Sequence, residues 1–298
     1  VWNDSRLGEL HPAARLFDRQ GAASRPATLI ATLRGTQATV AGGPGQFLGA
    51  WIDQSVPVPA VRAVLIRDDG TVLTLPLITT ATFVNTSPAA AYGPGDYLLL
   101  WTEERATRDV YAALVGPDGG MRGPFPFATS PSDDEWSPAV AGNAKQWLAA
   151  WSAVAQIRFT RVGLDGGQLD WPPRAVAAAS GAARFYPSVA TNGTDFLIAW
   201  FDDYQLAAVR VLADGTVLDA PPILLDNTLR PGQRCQAAWS GGQFVVSWQR
   251  ETGDVVSQLI PAAGPVVLAP PRLLMSNSGV HDHPRIALVE AWALERSV

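Results

Sequence analysis

Three short segments combine charged residues with aromatic or further charged residues, and none of them recurs in the chain. They are SDDEW at 132–136, RFY at 184–186 and RPGQR at 230–234. An aromatic ring can stack on a sugar or anchor a protein partner, while neighbouring carboxylates and guanidinium groups form hydrogen bonds. We therefore predict a surface that binds a glycan or a protein. Its residues are Asp133, Asp134, Glu135, Trp136, Arg184, Phe185, Tyr186, Arg230 and Arg234. The alternative is that these loops only pack between neighbouring repeats.

The three histidines suggest a second kind of chemistry. His281 and His283 stand two residues apart in HDH, a spacing at which two imidazoles on an extended chain can hold a metal ion. If the two ends of the chain share one sheet, His11 lies in a loop of that sheet, with Asp4 and Glu9 nearby. The competing interpretation is three ordinary polar loop histidines. We predict no cofactor other than this metal ion.

Charge and composition exclude several classes of partner. The net charge is -5, and the 22 basic residues are scattered along the 298 positions, which argues against binding to nucleic acid. No apolar run reaches the roughly 18 residues that a membrane span needs, and the first ten residues lack the features of a signal peptide. Cys235 is the one cysteine, so no intrachain disulfide forms, and we expect it to be buried and inert.

The elements that must position these residues repeat about every 49 residues. Tryptophans stand at 51, 101, 151, 200 and 248, each preceded by another aromatic residue four positions earlier. Glycines at 21, 70, 119, 166, 215 and 264 mark the same period independently. Six marker glycines predict six units, and a fixed period of this length is typical of solenoids and propellers.

Each unit reads as four antiparallel strands. The aromatic runs are only about five residues long and follow hairpin-turn sequences such as GGPG and NGTD, which favours strands over helices. An Asp-Gly turn with glycine at positive φ then joins the third and fourth strands. The first strand carries small residues, as in PAVAG, which suits the crowded centre of a propeller. We predict an all-β, six-bladed β-propeller.

The predicted propeller is a single domain over 1–298. Five blades cover approximately 37–81, 87–129, 137–178, 186–226 and 234–275. The sixth blade combines 283–298 with 1–32, so that both ends of the chain share one sheet. In that blade Pro284 and Trp292 are closer in sequence than their counterparts elsewhere, so its first hairpin is missing.

The periodic tryptophans are predicted to be packing residues. Trp200 closes the run DFLIAW and is expected to lie in the core between blades, because repetition is what packing requires and a unique ligand site does not. The acid that follows several of these tryptophans by two residues, as Asp53 follows Trp51, is expected to stabilise a turn.

Residues 187–219 resemble a repeat found in bacterial secreted and surface proteins. The matching features are PSVATNGTDFLIAW, followed by RVLADGTVLD, and weaker copies cover nearly the whole chain. The resemblance implies a β-propeller in an extracellular or cell-surface setting, with the periplasm as the alternative, and supplies no catalytic residues.

These observations favour a non-catalytic propeller that binds a glycan or a protein, or that serves as a rigid module of a larger surface protein. A propeller glycosidase needs two carboxylates facing each other, whereas the predicted first strands (ATVAG, PAAAY, PAVAG, PSVAT, CQAAW and PRIAL) carry no acid. A glycosidase-like hydrolase is the alternative, and it would need loop carboxylates such as Asp133, Glu135 or Asp202 to converge.

Overall fold

The computed structural model describes most of the chain as β-strand. The described residues are 2–4, 11–15, 22, 28–29, 34–78, 83–84, 88–154, 156–176, 184–202, 205–227 and 234–276. Within these ranges every regular element is a strand, and no helix occurs. It follows that the described part of the chain offers no helix with the length and hydropathy of a membrane span.

The strands form six sheets in which consecutive strands are antiparallel neighbours. The first sheet has three strands, β1 (Trp2–Asp4), β2 (His11–Ala14) and β3 (Thr28–Leu29). The second has β4 (Gly35–Gly43), β5 (Gln46–Asp53), β6 (Ala60–Arg67) and β7 (Val72–Thr74). In the third, the first strand is split into β8 (Phe83–Val84) and β9 (Ala89–Tyr92), which both pair with β10 (Tyr97–Glu104), and β11 (Arg108–Val115) and β12 (Met121–Ala128) follow.

The last three sheets repeat the four-stranded plan. The fourth sheet has β13 (Glu135–Gly142), β14 (Trp147–Ala153), β15 (Gln156–Val162) and β16 (Arg174–Ala175). The fifth has β17 (Arg184–Thr191), β18 (Phe196–Asp202), β19 (Gln205–Val211) and β20 (Ile223–Asp226). The sixth has β21 (Cys235–Trp239), β22 (Gln243–Gln249), β23 (Val255–Pro261) and β24 (Arg272–Met275). The prediction of four-stranded antiparallel sheets is confirmed.

The Asp-Gly turns have the predicted backbone. The marker glycines at 70, 119, 166, 215 and 264 have φ of 84, 89, 85, 88 and 75°. The first four follow an aspartate, and Gly264 follows Ala263 at the same place in its sheet. A side chain at such angles is strained, which explains why glycine recurs there. The turn at Gly119 also packs closely on its neighbour, since a Cβ there would lie 2.8 Å from a methyl carbon of Leu73.

Both faces of β18, the second strand of the fifth sheet, are buried, as the sequence predicts. In β18, Phe196, Ile198 and Trp200 pack in one apolar cluster with residues of the fourth sheet. The intervening residues Leu197, Ala199 and Phe201 pack in another cluster, with the sixth sheet. Trp200 is only 1% exposed, so its predicted place in the core between sheets is confirmed.

Side chains also bind each sheet to the turn of the next one. Arg210 in β19 forms a buried ion pair with Asp219 at 2.7 Å and donates from Nη1 to the carbonyl oxygens of Pro261 and Gly264 at 3.1 and 2.9 Å. One repeat earlier, Arg161 pairs with Asp170 and donates to the Ala213 carbonyl at 3.2 Å. We call these two arginines the latch arginines.

The chain divides into two compact units. The first contains Val1–Pro138 with Leu164–Gly166, and the second contains Ala139–Gly163 with Gly167–Val298. In the first unit, one apolar cluster joins the second and third sheets around Leu65, Tyr97 and Trp101. In the second unit, two clusters join the fourth sheet to the fifth and the fifth to the sixth. The predicted single domain stays a prediction.

The predicted shared blade lies partly outside the described residues. Strands β1, β2 and β3 form a three-stranded sheet from the first residues of the chain. Residues 283–298, which would complete this blade, are not among those described. The shared blade and the radial count of six therefore stay predictions.

Candidate functional site

The first strands begin earlier than the sequence suggested, because a bulge interrupts their start. The third residue of β4, of β13 and of β17 has positive φ, at 55° for Gln37, 50° for Ser137 and 51° for Tyr186. The ladder register shifts here, between Thr36 and Thr39 and between Phe185 and Ser188. Positive φ is uncommon and strained for residues other than glycine. Bulges of this kind redirect side chains next to binding sites.

The earlier start corrects one prediction. We expected the first strands to carry no acid, but β13 begins at Glu135, three residues before the Pro138 at which the sequence suggested its start. The Glu135 side chain is buried, with the residue 3% exposed. Trp136 follows it and is half-buried. An acid and an aromatic residue therefore open a first strand, directly before the strained Ser137.

Asp134 is held next to this strand start by Arg108, the first residue of β11. The Arg108 backbone N–H donates to Asp134 Oδ1 at 3.0 Å, and its guanidinium lies 3.6 Å from Oδ2. The same guanidinium lies 5.9 Å from the centre of the Trp136 ring. The Asp134 side chain is 46% exposed, so a dissolved ligand can reach a carboxylate fixed by two contacts.

Asp109 forms a second carboxylate next to Asp134. It is buried, and its Oδ1 accepts a hydrogen bond from Thr107 Oγ1 at 3.4 Å. Burial raises the pKa of Asp109, and the negative charge of Asp134 adds to the rise against the opposing effects of Thr107, Ser130 and Arg105. The two carboxylates therefore differ in environment, one being buried and the other half-exposed and paired with arginine.

Asp133 has a different role in the described structure. Its backbone N–H donates to Ser130 Oγ at 3.2 Å, and its Oδ1 accepts from Ser132 Oγ at 3.2 Å. These contacts shape the loop that carries Asp134 and Glu135. Of the four acidic and aromatic residues predicted in this segment, Asp134, Glu135 and Trp136 thus form the candidate site with Arg108 and Asp109.

The acids that follow tryptophan by two residues are structural. Asp53 is fully buried and accepts from Ser55 N at 2.8 Å, which is the predicted turn contact, and it also pairs with Arg62. Burial alone would raise the pKa of Asp53, but the hydrogen bonds and charge of Arg62 and Ser55 lower it below its usual value. Glu103 instead accepts the indole N–H of Trp101 at 3.0 Å.

The second unit presents Tyr186 and Arg234. The Arg234 guanidinium lies 4.2 Å from the centre of the Tyr186 ring, within the range of a cation–π contact. Arg184 and Phe185 are paired with Asp202 and Phe201 in the β17–β18 ladder, and their side chains are outside the described residues. Arg230 also lies outside them. The structure therefore places two of these five predicted residues, Tyr186 and Arg234, side by side.

The predicted metal site is only partly described. His11 is the first residue of β2, paired with Asp4 and buried, rather than a residue of the preceding loop. His283 and His281 lie outside the described residues, and within the described ones no three His, Cys, Asp or Glu side chains group as metal ligands do. The metal site stays a prediction. Cys235 is buried as expected, and burial raises the pKa of its thiol to about 12.

Sequence reasoning missed Arg108 and Asp109. Both follow the loop after β10. Arg108 has no counterpart in the other repeats, whereas Asp109 corresponds to Asp254, which also precedes a third-strand valine and accepts from a threonine hydroxyl two residues earlier. The criterion that selected SDDEW, a charged residue that breaks the period, would have found Arg108 but not Asp109. Their proximity to Asp134 could not be read from the sequence, because it depends on where the segment after β12 runs.

Comparison with solved structures identifies the fold. A GH43_1 enzyme from Xanthomonas citri superposes with a TM-score of 0.50 at 13% identity, covering 80% of this chain and 91% of that one. A subtype N10 neuraminidase-like protein of A/little yellow-shouldered bat/Guatemala superposes with a TM-score of 0.53 at 11% identity, covering 82% and 83%. The shared fold is a β-propeller. The sequence matches no protein-family model and no curated protein.

The comparison also corrects the predicted function. The Xanthomonas citri protein that shares this fold is an enzyme. The prediction of a non-catalytic binding or scaffold propeller is therefore wrong. The prediction of a propeller is confirmed.

Proposed function

We propose that this protein is a propeller hydrolase that cleaves glycosidic bonds with carboxylates at the start of a first strand. The observation that carries the proposal is the pair of Asp109 and Asp134, whose environments differ beside Glu135 and Trp136. The fold shared with a GH43_1 enzyme supports the reaction class. The partner is then a glycan, and an extracellular, cell-surface or periplasmic location is part of the same proposal.

The two carboxylates suit the two tasks of glycoside hydrolysis. That reaction needs an acid that protonates the leaving oxygen and a carboxylate that acts as base or nucleophile. Burial raises the pKa of Asp109, which favours its protonated form and the role of acid. Asp134 is half-exposed and held by Arg108, which suits the role of base or nucleophile.

The neighbouring residues position the sugar. Trp136 offers an aromatic surface against which a sugar ring stacks. Glu135 is buried at the start of β13, directly before Trp136 in sequence. The bulge at Ser137 fixes the direction of both side chains.

The test is hydrolysis by the full chain and by two variants. Nitrophenyl xyloside and arabinoside, xylotriose and sialyl-lactose serve as substrates. Asp109→Asn and Asp134→Asn are each expected to lower kcat by about 100-fold or more on the substrate that wild type cleaves. Asp118→Asn is the matched control, since Asp118 closes a turn by accepting from Gly120 N at 2.8 Å and an asparagine oxygen keeps that contact.

The pH profile separates catalysis from damage to the fold. Wild-type kcat should fall at high pH as Asp109 loses its proton, and this limb should disappear in Asp109→Asn. If wild type hydrolyses a glycoside and both variants keep its kcat, Asp109 and Asp134 are not the catalytic carboxylates. No hydrolysis of any glycoside by wild type would reject the reaction class.

A further inference from the structure

Arg234 differs from the buried arginines elsewhere in the described structure. Arg62, Arg161 and Arg210 each form an ion pair with a buried aspartate. Arg234 is also partly buried, and its Nε is fully enclosed, yet this atom has no hydrogen-bond partner. Among the described residues no carboxylate pairs with its guanidinium, which contacts the ring of Tyr186. An enclosed donor without an acceptor calls for an explanation.

The fold holds this guanidinium in place. Arg234 directly precedes β21, which lies against β17, and the Ala237 N–H donates to Ser188 Oγ at 2.9 Å. Ser188 stands two residues after Tyr186, whose φ of 51° belongs to the bulge at the start of β17. Tyr186 covers one side of the guanidinium at 4.2 Å. A fixed, stacked guanidinium loses little conformational freedom when it binds a ligand.

A single guanidinium that lacks its acid is suited to a carboxylate. The planar fork of arginine donates two parallel hydrogen bonds to a carboxylate, and one positive charge balances one negative charge. We propose that Arg234, stacked on Tyr186, binds the carboxylate of an acidic sugar, so that the glycans this protein recognises contain uronic acid. The inference rests on the proposed function only in taking the ligand to be a glycan.

The test measures binding rather than hydrolysis. Isothermal titration with the full chain compares trigalacturonate with its methyl ester, and glucuronic acid-substituted xylotriose with xylotriose. Each pair of sugars differs in the negative charge, and the expected result is about tenfold or more tighter binding of the acidic member. Inorganic phosphate is titrated separately, so that general anion binding is distinguished from sugar recognition.

Two variants assign the preference to Arg234. Arg234→Gln should abolish the difference within each pair of sugars, and Arg234→Lys should retain part of it, because lysine keeps the charge but not the planar fork. Arg272→Gln is the control: it removes the same charge from an exposed position on β24 of the same sheet. Melting temperatures verify that each variant is folded.

The outcomes separate this inference from the proposed function. Tighter binding of acidic sugars that Arg234→Gln removes supports the inference, even if no glycoside is hydrolysed. Equal binding of acidic and neutral sugars, or a preference that survives in Arg234→Gln, overturns it even if hydrolysis is found. Phosphate binding as tight as that of the acidic sugars, and lost in the same variant, also overturns it, because the site would then bind any anion.

Discussion

The Asp-Gly turns and the starts of the first strands are two regions that both hold residues at positive φ, but they do so with different residues. The turns use glycine in each described repeat, as at Gly215 and Gly264. The strand starts use Gln37, Ser137 and Tyr186, which gain no relief from strain. Glycine therefore spares the turns the strain of positive φ. The strand starts carry that strain at Gln37, Ser137 and Tyr186.

The same contrast holds for arginines in the second unit. Arg210, whose side chain reaches the turn of the sixth sheet, has a bidentate contact with Asp219 and two carbonyl acceptors. Arg234 directly precedes the first strand β21. Its guanidinium contacts the ring of Tyr186, and its enclosed Nε has no acceptor. In this pair, the arginine in the regular part of the repeat has acceptors within the protein, and the arginine where the repeat breaks keeps an enclosed donor without one.

The largest expected effect comes from comparing these two arginines by substitution. Arg210→Ala leaves Asp219 buried without its partner, which should lower the free energy of unfolding by about 3–5 kcal/mol. Arg234→Ala loses only a cation–π contact, which is about 0.5–1 kcal/mol. Urea unfolding followed by tryptophan fluorescence measures both. Equal losses would show that Arg234 is a packing residue, and the contrast would fail.

An intermediate effect is expected at the turns. Gly215→Ala and Gly264→Ala both place a side chain at positive φ, which costs roughly 1–2 kcal/mol. The added Cβ would lie 3.1 Å from Arg161 Nε at position 215 but meets nothing within 4 Å at position 264. The first variant should therefore have the lower melting temperature. The same melting temperature for both would mean that the latch arginine moves aside freely.

The smallest effect is a pair of opposite pH dependences. Burial would raise the pKa of Asp170, but the hydrogen bonds and charge of Arg161, with the charge of Arg174, lower it overall. Its contribution to stability is therefore present above the ordinary value of 3.8 and is lost as the pH falls through the lowered pKa. The melting temperature of Asp170→Asn should lie furthest below that of wild type near neutral pH.

Asp109 should show the reverse, because burial raises its pKa. Its contribution is present below the unfolded value and is lost as the pH rises through the raised pKa. Asp109→Asn should thus gain stability relative to wild type as the pH rises from about 3 to about 7. Melting curves across this range measure both variants. A shift of the same sign for both would contradict the difference between a structural and a functional carboxylate.

Regular features of the fold could be predicted because each of them recurs. The strands, the Asp-Gly turns and the burial of Trp200 follow from side-chain patterns that repeat along the chain. The bulge at Ser137 could not be predicted, because no residue type at that position signals positive φ. As a result, Glu135 was predicted to lie in a loop but is the first residue of β13.

The candidate site depends on contacts between residues that are distant in the sequence, and the sequence period does not predict such contacts. Asp134 meets Arg108 across 26 positions of chain, through the course of the segment that follows β12. The carboxylate pair could therefore be found only in three dimensions. The wrong functional prediction came from the predicted strand bounds. Because β13 was expected to begin after Glu135, the predicted first strands contained no acid.

The latch arginines have a consequence for how such a chain changes in length. Arg161 and Arg174 reach the carbonyl oxygens of Ala213 and Gly215, and Arg210 reaches those of Pro261 and Gly264 in the next turn, where Gly215 and Gly264 are corresponding residues. Each of these donors binds a backbone carbonyl oxygen and not a particular side chain. The contact therefore does not depend on the side chains of the neighbouring turn. We therefore expect in-frame duplication of a unit that carries such an arginine to preserve these contacts, because the neighbouring unit has to supply only a backbone carbonyl.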